Sequence, residues 1–227
     1  MLNKLTYFKS ADGIEIPSYD FIPDKPAISS ILLLYEIFGV TEHMKKTAKM
    51  LANKGYLVKI PDIYDRLEKE VVLPYNEEGL KKGIILKKEL GWDIPVMDIV
   101  SCAALLKQNN KVTVMGFCFG GSLAWRSAQK SFIFDNAICY YGSSISEFLD
   151  KNLNSPAIIH FGKNDKSIPP NAVEKVKRFC NQQNYDIKVF EYDNADHGFS
   201  CDERKSYNQE AANMAMDRNL DFLRSFN

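Results

Sequence analysis

Three absences narrow the sequence before any motif is read. No apolar run approaches the roughly eighteen residues that a membrane-spanning helix needs. The opening Met1-Leu-Asn-Lys-Leu-Thr6 has no apolar signal core, so export is not expected. A surplus of charge is missing too, since 29 basic residues balance 29 acidic ones among 227. Bulk electrostatics therefore offers nothing to nucleic acid or to an anionic membrane. Cysteines are few and scattered, at 102, 118, 139, 180 and 201, an odd set with no CxxC pair. That argues against a disulfide framework or a zinc site and for a reducing cytoplasm. What is present, 45% hydrophobic and 26% charged residues, suits one compact domain over residues 1–227, with a monomer as the simplest expectation.

Strand and helix signals alternate along the chain. Leu5–Phe8 and Ile14–Ile22 flank Ala11-Asp-Gly13, a hairpin signal. Ser30-Ile-Leu-Leu-Leu-Tyr35 is continuously apolar, as in a sheet covered on both faces. Thr41 is placed to cap a helix in which Met44, Thr47, Ala48 and Leu51 recur at helical spacing, and Tyr56–Ile60 forms the next strand. Strand, helix, strand at this spacing is a βαβ unit with parallel strands. Residues 67–92 hold a lysine-rich helix, Glu77–Leu90, interrupted by Gly83, and read as a solvated face or a mobile cover. Further strands are expected at 112–115, 136–140, 156–161 and 187–192, with helices at 96–108, 122–129, 171–181 and 207–226. The fold class is α/β, a mostly parallel central sheet flanked by helices on both faces.

Chemistry concentrates after strand 112–115. Gly116-Phe117-Cys118-Phe119-Gly120 has the glycine-nucleophile-glycine spacing of a nucleophile elbow, with cysteine where serine is commoner. A strand turning sharply into a helix leaves the middle residue strained, and glycines on either side let neighbouring backbone approach. The thiol then stands at a helix N-terminus, where negative charge is favoured. Ligands of parallel sheets bind beyond the carboxyl ends of the strands. Glu36, Cys118, Asp165 and His197 each follow a strand there. Nucleophile, acid, histidine is the chain order of the α/β-hydrolases. His160 lies inside an apolar strand and reads as a packed residue, while His43 falls out of order.

Glu36-Ile-Phe-Gly39, Gly116-Phe-Cys-Phe-Gly-Gly121, Tyr140-Tyr-Gly142, Gly162-Lys-Asn-Asp165 and Asp196-His-Gly-Phe199 together resemble the dienelactone hydrolase family, the carboxymethylenebutenolidase-like enzymes. The resemblance implies an α/β-hydrolase sheet with one antiparallel strand near its start. It also implies a Cys118–His197–Asp165 triad acting on a small ester or lactone, with no metal or organic cofactor. Glu36 would contact the resting thiol and keep it poorly ionised until substrate arrives. Backbone N–H groups of Ile37 and Phe119 are the expected oxyanion donors. Phe38, Tyr64, Tyr141 and Phe199 are the expected aromatic lining of the substrate pocket.

One feature departs from the family pattern. The carboxylate-gripping arginines expected of dienelactone-cleaving members are missing shortly after His197, where Ser200-Cys201 stand, and from residues 67–100. Lys81, Lys82 or the later Arg204 are the candidate replacements. A DJ-1-like or glutaminase-like cysteine enzyme is a second reading of an early glutamate with an elbow cysteine. A hydrolase fold kept as a binding module is a third.

Overall fold

The computed structural model describes residues 2–226. Strands that are apolar along their whole length need cover on both faces, and this decides the centre of the molecule. β1 (Leu2–Lys9), β2 (Glu15–Ile22), β3 (Ser30–Leu34), β4 (Leu57–Pro61), β5 (Val112–Phe117), β6 (Asn136–Tyr140), β7 (Ala157–Gly162) and β8 (Ile187–Tyr192) form one sheet. Its order is β1-β2-β4-β3-β5-β6-β7-β8. β3, β5, β6 and β7 are buried at every residue and occupy the middle. β2 runs antiparallel to both β1 and β4, and all other pairings are parallel. β2 is therefore the single antiparallel strand near the start.

Among the described residues six α-helices cover the sheet: α1 (Glu42–Asn53), α2 (Glu77–Leu90), α3 (Asp93–Lys107), α4 (Phe119–Lys130), α5 (Pro170–Cys180) and α6 (Gln209–Arg224). Successive residues of a strand point to opposite faces, so neighbours in β5 identify the two layers. Gly116 faces α4, which a Cβ there would strike at the Gly120 carbonyl. Phe117 faces the other way, flooring a cleft of about 580 Å³ between α1 and α6 that includes neither Cys118 nor His197. Among the described residues no helix is long and apolar enough to cross a membrane.

Several local expectations need correcting. Gly83 does not interrupt α2, which runs unbroken from a start capped by the Asn76 side chain on the Gly79 N–H at 2.9 Å. Thr41 stands at the N-cap of α1 but its side chain makes no cap hydrogen bond. Its hydroxyl meets Tyr75 Oη at 2.8 Å instead, tying the helix start to the segment before α2. That segment is further joined to the chain after β3 by a Gly39–Val72 bridge and by Leu73 N–H donating to the Phe38 carbonyl at 2.9 Å. A 3-10 turn at Ile63–Arg66 carries no sequence signal. Its Arg66 forks onto buried Asp98 of α3 through Nε and Nη2, both at 2.6 Å, and onto Asp12 of the β1–β2 turn at 2.8 and 3.0 Å.

His160 is a strand residue inside a closed polar network. Its Nδ1 meets Tyr192 Oη at 2.8 Å and its Nε2 meets Asn219 Oδ1 at 2.7 Å. Asn219 in turn donates to Tyr140 Oη at 2.6 Å. Burial pushes the imidazole down to about 3, against a smaller upward pull from the Asn219 bond.

Candidate active site

Cys118 connects β5 to α4 with φ 54° and ψ −110°, a conformation non-glycine residues hold only when their surroundings enforce it. The enforcement is visible in the backbone. Cys118 N–H donates to the Tyr140 carbonyl at 2.9 Å, and its own carbonyl accepts from Ser122 N–H at 3.1 Å. A Cβ at Gly116 would lie 2.0 Å from the Gly120 carbonyl oxygen, and one at Gly120 would lie 2.3 Å from that of Leu34. The two glycines let strand and helix meet at this angle.

The acid and the histidine come from the loops after β7 and β8. Those loops are joined by Asn164 N–H donating to the Ala195 carbonyl at 3.0 Å. Asp165 Oδ2 lies 2.7 Å from His197 Nδ1, and Asp165 Oδ1 accepts from Ser167 N–H at 2.8 Å. With Nδ1 turned to the carboxylate, the opposite edge of the ring is left for Cys118, which raises the imidazole's proton affinity. Burial alone would lower the imidazole. The negative charge of Cys118, together with the hydrogen bond to Asp165, outweighs it and raises His197 to about 10.

Glu36 occupies the expected loop but makes a different contact. Its buried carboxylate accepts from Arg204 Nη1 at 2.9 Å through Oε1, and Oε2 has no hydrogen-bond partner among the described residues. The expected pairing of Glu36 with the thiol is thus replaced by a Glu36–Arg204 pair and a Cys118–His197 pair. Arg204 can reach the site because Gly198, at φ 80°, has no Cβ; one built there would stand 2.2 Å from Arg204 Nη1. An arginine is therefore present after the histidine. Seven residues of sequence hide it, because successive turns (Cys201 N–H to Gly198 O, Arg204 N–H to Cys201 O) fold the loop back. Lys81 and Lys82 do not substitute: both are exposed on α2, facing Glu77 and Glu68. Lys87 of α2 lies 5.1 Å from the Trp92 ring centre and 5.9 Å from that of Phe119. His43 pairs with Asp202 at 3.1 Å.

Phe119 follows Cys118 at the start of α4 and Ile37 follows Glu36 after β3, and neither N–H is used in the turn, loop and cap hydrogen bonds of the described residues. The aromatic lining differs from expectation. Phe38, Tyr64, Tyr141 and Phe199 are all buried and make a packed wall behind the site, because each is claimed by internal partners. Phe38 stacks with Tyr75 and Arg204, and Tyr141 bonds Ser200 at 2.7 Å beside the His197 ring. Phe199 packs on Tyr140, Tyr141 and Tyr192.

Residues 16–227 match the family model described as the dienelactone hydrolase family. The chain belongs to that family. Carboxymethylenebutenolidase of Pseudomonas putida is 30% identical, over 93% of this chain and 95% of that protein. A structure solved for a dienelactone hydrolase-like protein of Klebsiella pneumoniae superposes with a TM-score of 0.84 at 26% identity, covering 96% of each chain. The fold alone is shared with an esterase of Pyrococcus furiosus, at TM-score 0.75, 14% identity and coverage of 99% and 93%. Family membership makes this dienelactone hydrolase relative an ester or lactone hydrolase with the α/β-hydrolase fold. The glutaminase-like and binding-module readings fall away with it.

Proposed function

We propose that the chain hydrolyses a small ester or lactone through a thioester on Cys118. The observation that carries this reading is His197 hydrogen-bonded to buried Asp165 while it interacts electrostatically with Cys118 on a strained elbow. In the first half-reaction the Cys118 sulfur bonds the acyl carbon while His197 holds the thiol proton. The tetrahedral oxyanion is met by the Ile37 and Phe119 N–H groups. On its collapse the acyl C–O bond breaks, and the imidazolium passes its proton to the departing alkoxide. In the second half-reaction His197 takes a proton from water, the hydroxide adds to the thioester, and the C–S bond breaks to restore the thiolate. Asp165 holds the Nδ1 proton and stabilises the imidazolium throughout. Arg204 lies at the site already paired with Glu36, so a substrate carboxylate beside the ester or lactone group would have to share that cation with Glu36.

Turnover of p-nitrophenyl acetate and a panel of small lactones tests the reading. Cys118→Ala and His197→Ala are expected to reduce it by at least about a thousand-fold. Acid quenching should leave an acyl group on Cys118, detected by mass spectrometry. Turnover that survives Cys118→Ala, or an acyl group on another residue, would overturn it.

A further inference from the structure

An oxyanion donor has a structural difficulty of its own. Its N–H must stay free for the substrate, so the donor peptide is held through other atoms: at Ile37 the Glu36 carbonyl of that peptide accepts from Gly39 N–H at 3.3 Å, and the Ile37 carbonyl, in the next peptide, sets the other side of the residue. At Ile37 two elements converge on the carbonyl of the same residue. The first is α2. A Cβ on Gly83 would lie 2.5 Å from the Ile37 oxygen and 3.1 Å from Ile37 Cβ and Cγ1, so the helix backbone sits directly on this residue at a distance only glycine permits. The second is Tyr64, whose hydroxyl donates to the same oxygen at 3.4 Å.

Tyr64 reaches the other donor as well. Its ring stacks on that of Phe119, with centroids 6.2 Å apart and planes 13° apart. It is anchored from behind, since its N–H donates to Tyr35 Oη at 2.7 Å and Tyr35 Oη meets Asp62 at 3.3 Å. Beyond Ile37 the chain is pinned again, by the Phe38–Leu73 hydrogen bond and the Gly39–Val72 bridge. We propose that Gly83 and Tyr64 are positioning residues of the oxyanion hole: together they clamp the Ile37 carbonyl, and with the Gly39 N–H bond to the Glu36 carbonyl on the other side of the Ile37 Cα they fix the peptide whose N–H is aimed at the reacting centre. The segment 67–92 then has a catalytic consequence through its underside, since Gly83 carries α2 against the oxyanion loop. This inference rests on the proposed oxyanion role of Ile37.

The test compares two reactions of the same thiol. Ester hydrolysis builds an oxyanion, whereas alkylation of Cys118 by iodoacetamide builds none. Gly83→Ala and Tyr64→Phe are each expected to lower kcat for p-nitrophenyl acetate by about ten-fold or more, with KM and the alkylation rate within about two-fold of the parent. The double variant should lose less than the product of the two, because both act through Ile37. Ile84→Ala, on the exposed face of the same helix, should leave kcat unchanged. If Gly83→Ala does not fold, Tyr64→Phe decides alone, since it removes only a hydroxyl. Parental kcat in the variants, or turnover and alkylation falling together, would overturn the clamp. Loss of turnover in Cys118→Ala alongside parental kcat in Tyr64→Phe sinks the clamp only; turnover surviving Cys118→Ala sinks the thioester reading itself.

Discussion

At the scale of single residues the site is governed by which charge faces which. His197 binds its proton more tightly in the folded protein than in the unfolded chain. The stability this contributes is complete below about pH 6.5 and is lost as pH rises toward about 10. Titration by NMR should find the imidazolium persisting well above neutrality, and Cys118→Ala should move its midpoint down, since the thiolate is a leading cause of the shift. Glu36 and Arg204 make a second pair, with side chains 2% and 19% exposed. Removing the cation leaves a carboxylate buried without a partner, so Arg204→Met should destabilise by about 3–5 kcal/mol in urea unfolding, and Glu36→Gln in the same chain should recover much of that. Cys118, Asp165 and His197 were legible because each stands in a stereotyped post-strand position, and cysteine and histidine are also scarce in the chain. Arg204 was not, because its approach depends on turns within the loop and on the space left by Gly198. Tyr64 was legible as a residue of the site but not in its direction, since a sequence does not say whether an aromatic ring faces a pocket or the core behind it.

Elements were easier to find than their joints. Every strand and helix lies close to where periodicity puts it, because the buried central strands are apolar along their length and the amphipathic helices repeat at helical spacing. Joints depend on single long-range contacts that leave no periodic trace. Arg66 is the clearest, binding a hairpin turn to α3 from a 3-10 turn that periodicity does not show. Asp98 is fully buried, so Arg66→Ala should cost about 3–5 kcal/mol in equilibrium unfolding, far more than an exposed ion pair would. Asp12→Asn, which touches only the outer part of the fork, should cost much less. Thr41 shows the converse, a good capping residue whose hydroxyl is claimed by Tyr75.

The whole molecule is held across its second half by the His160 network, which joins β6, β7, β8 and α6. Folded His160 stays neutral to about pH 3, while the unfolded chain takes up its proton near pH 6.5. Between those values the unfolded state binds more protons, so stability falls as pH falls, by at most about 1.4 kcal/mol per pH unit from this group. His160→Gln should flatten that acid limb of the unfolding free energy even if it lowers stability overall. Sequence reasoning reached the parallel sheet and its one antiparallel strand, but not the placement of β4 outside β3, which no local pattern encodes. The Glu36–Arg204 bond spans 168 residues of chain. At a synthesis rate of roughly 5–20 residues per second, Glu36 leaves the ribosome about ten to thirty seconds before its partner. Cys118 emerges in that interval, ahead of both Asp165 and His197. Under the proposed mechanism, the nascent protein therefore passes through a period in which its nucleophile exists without the base that activates it, and reactivity arrives only once His197 has emerged.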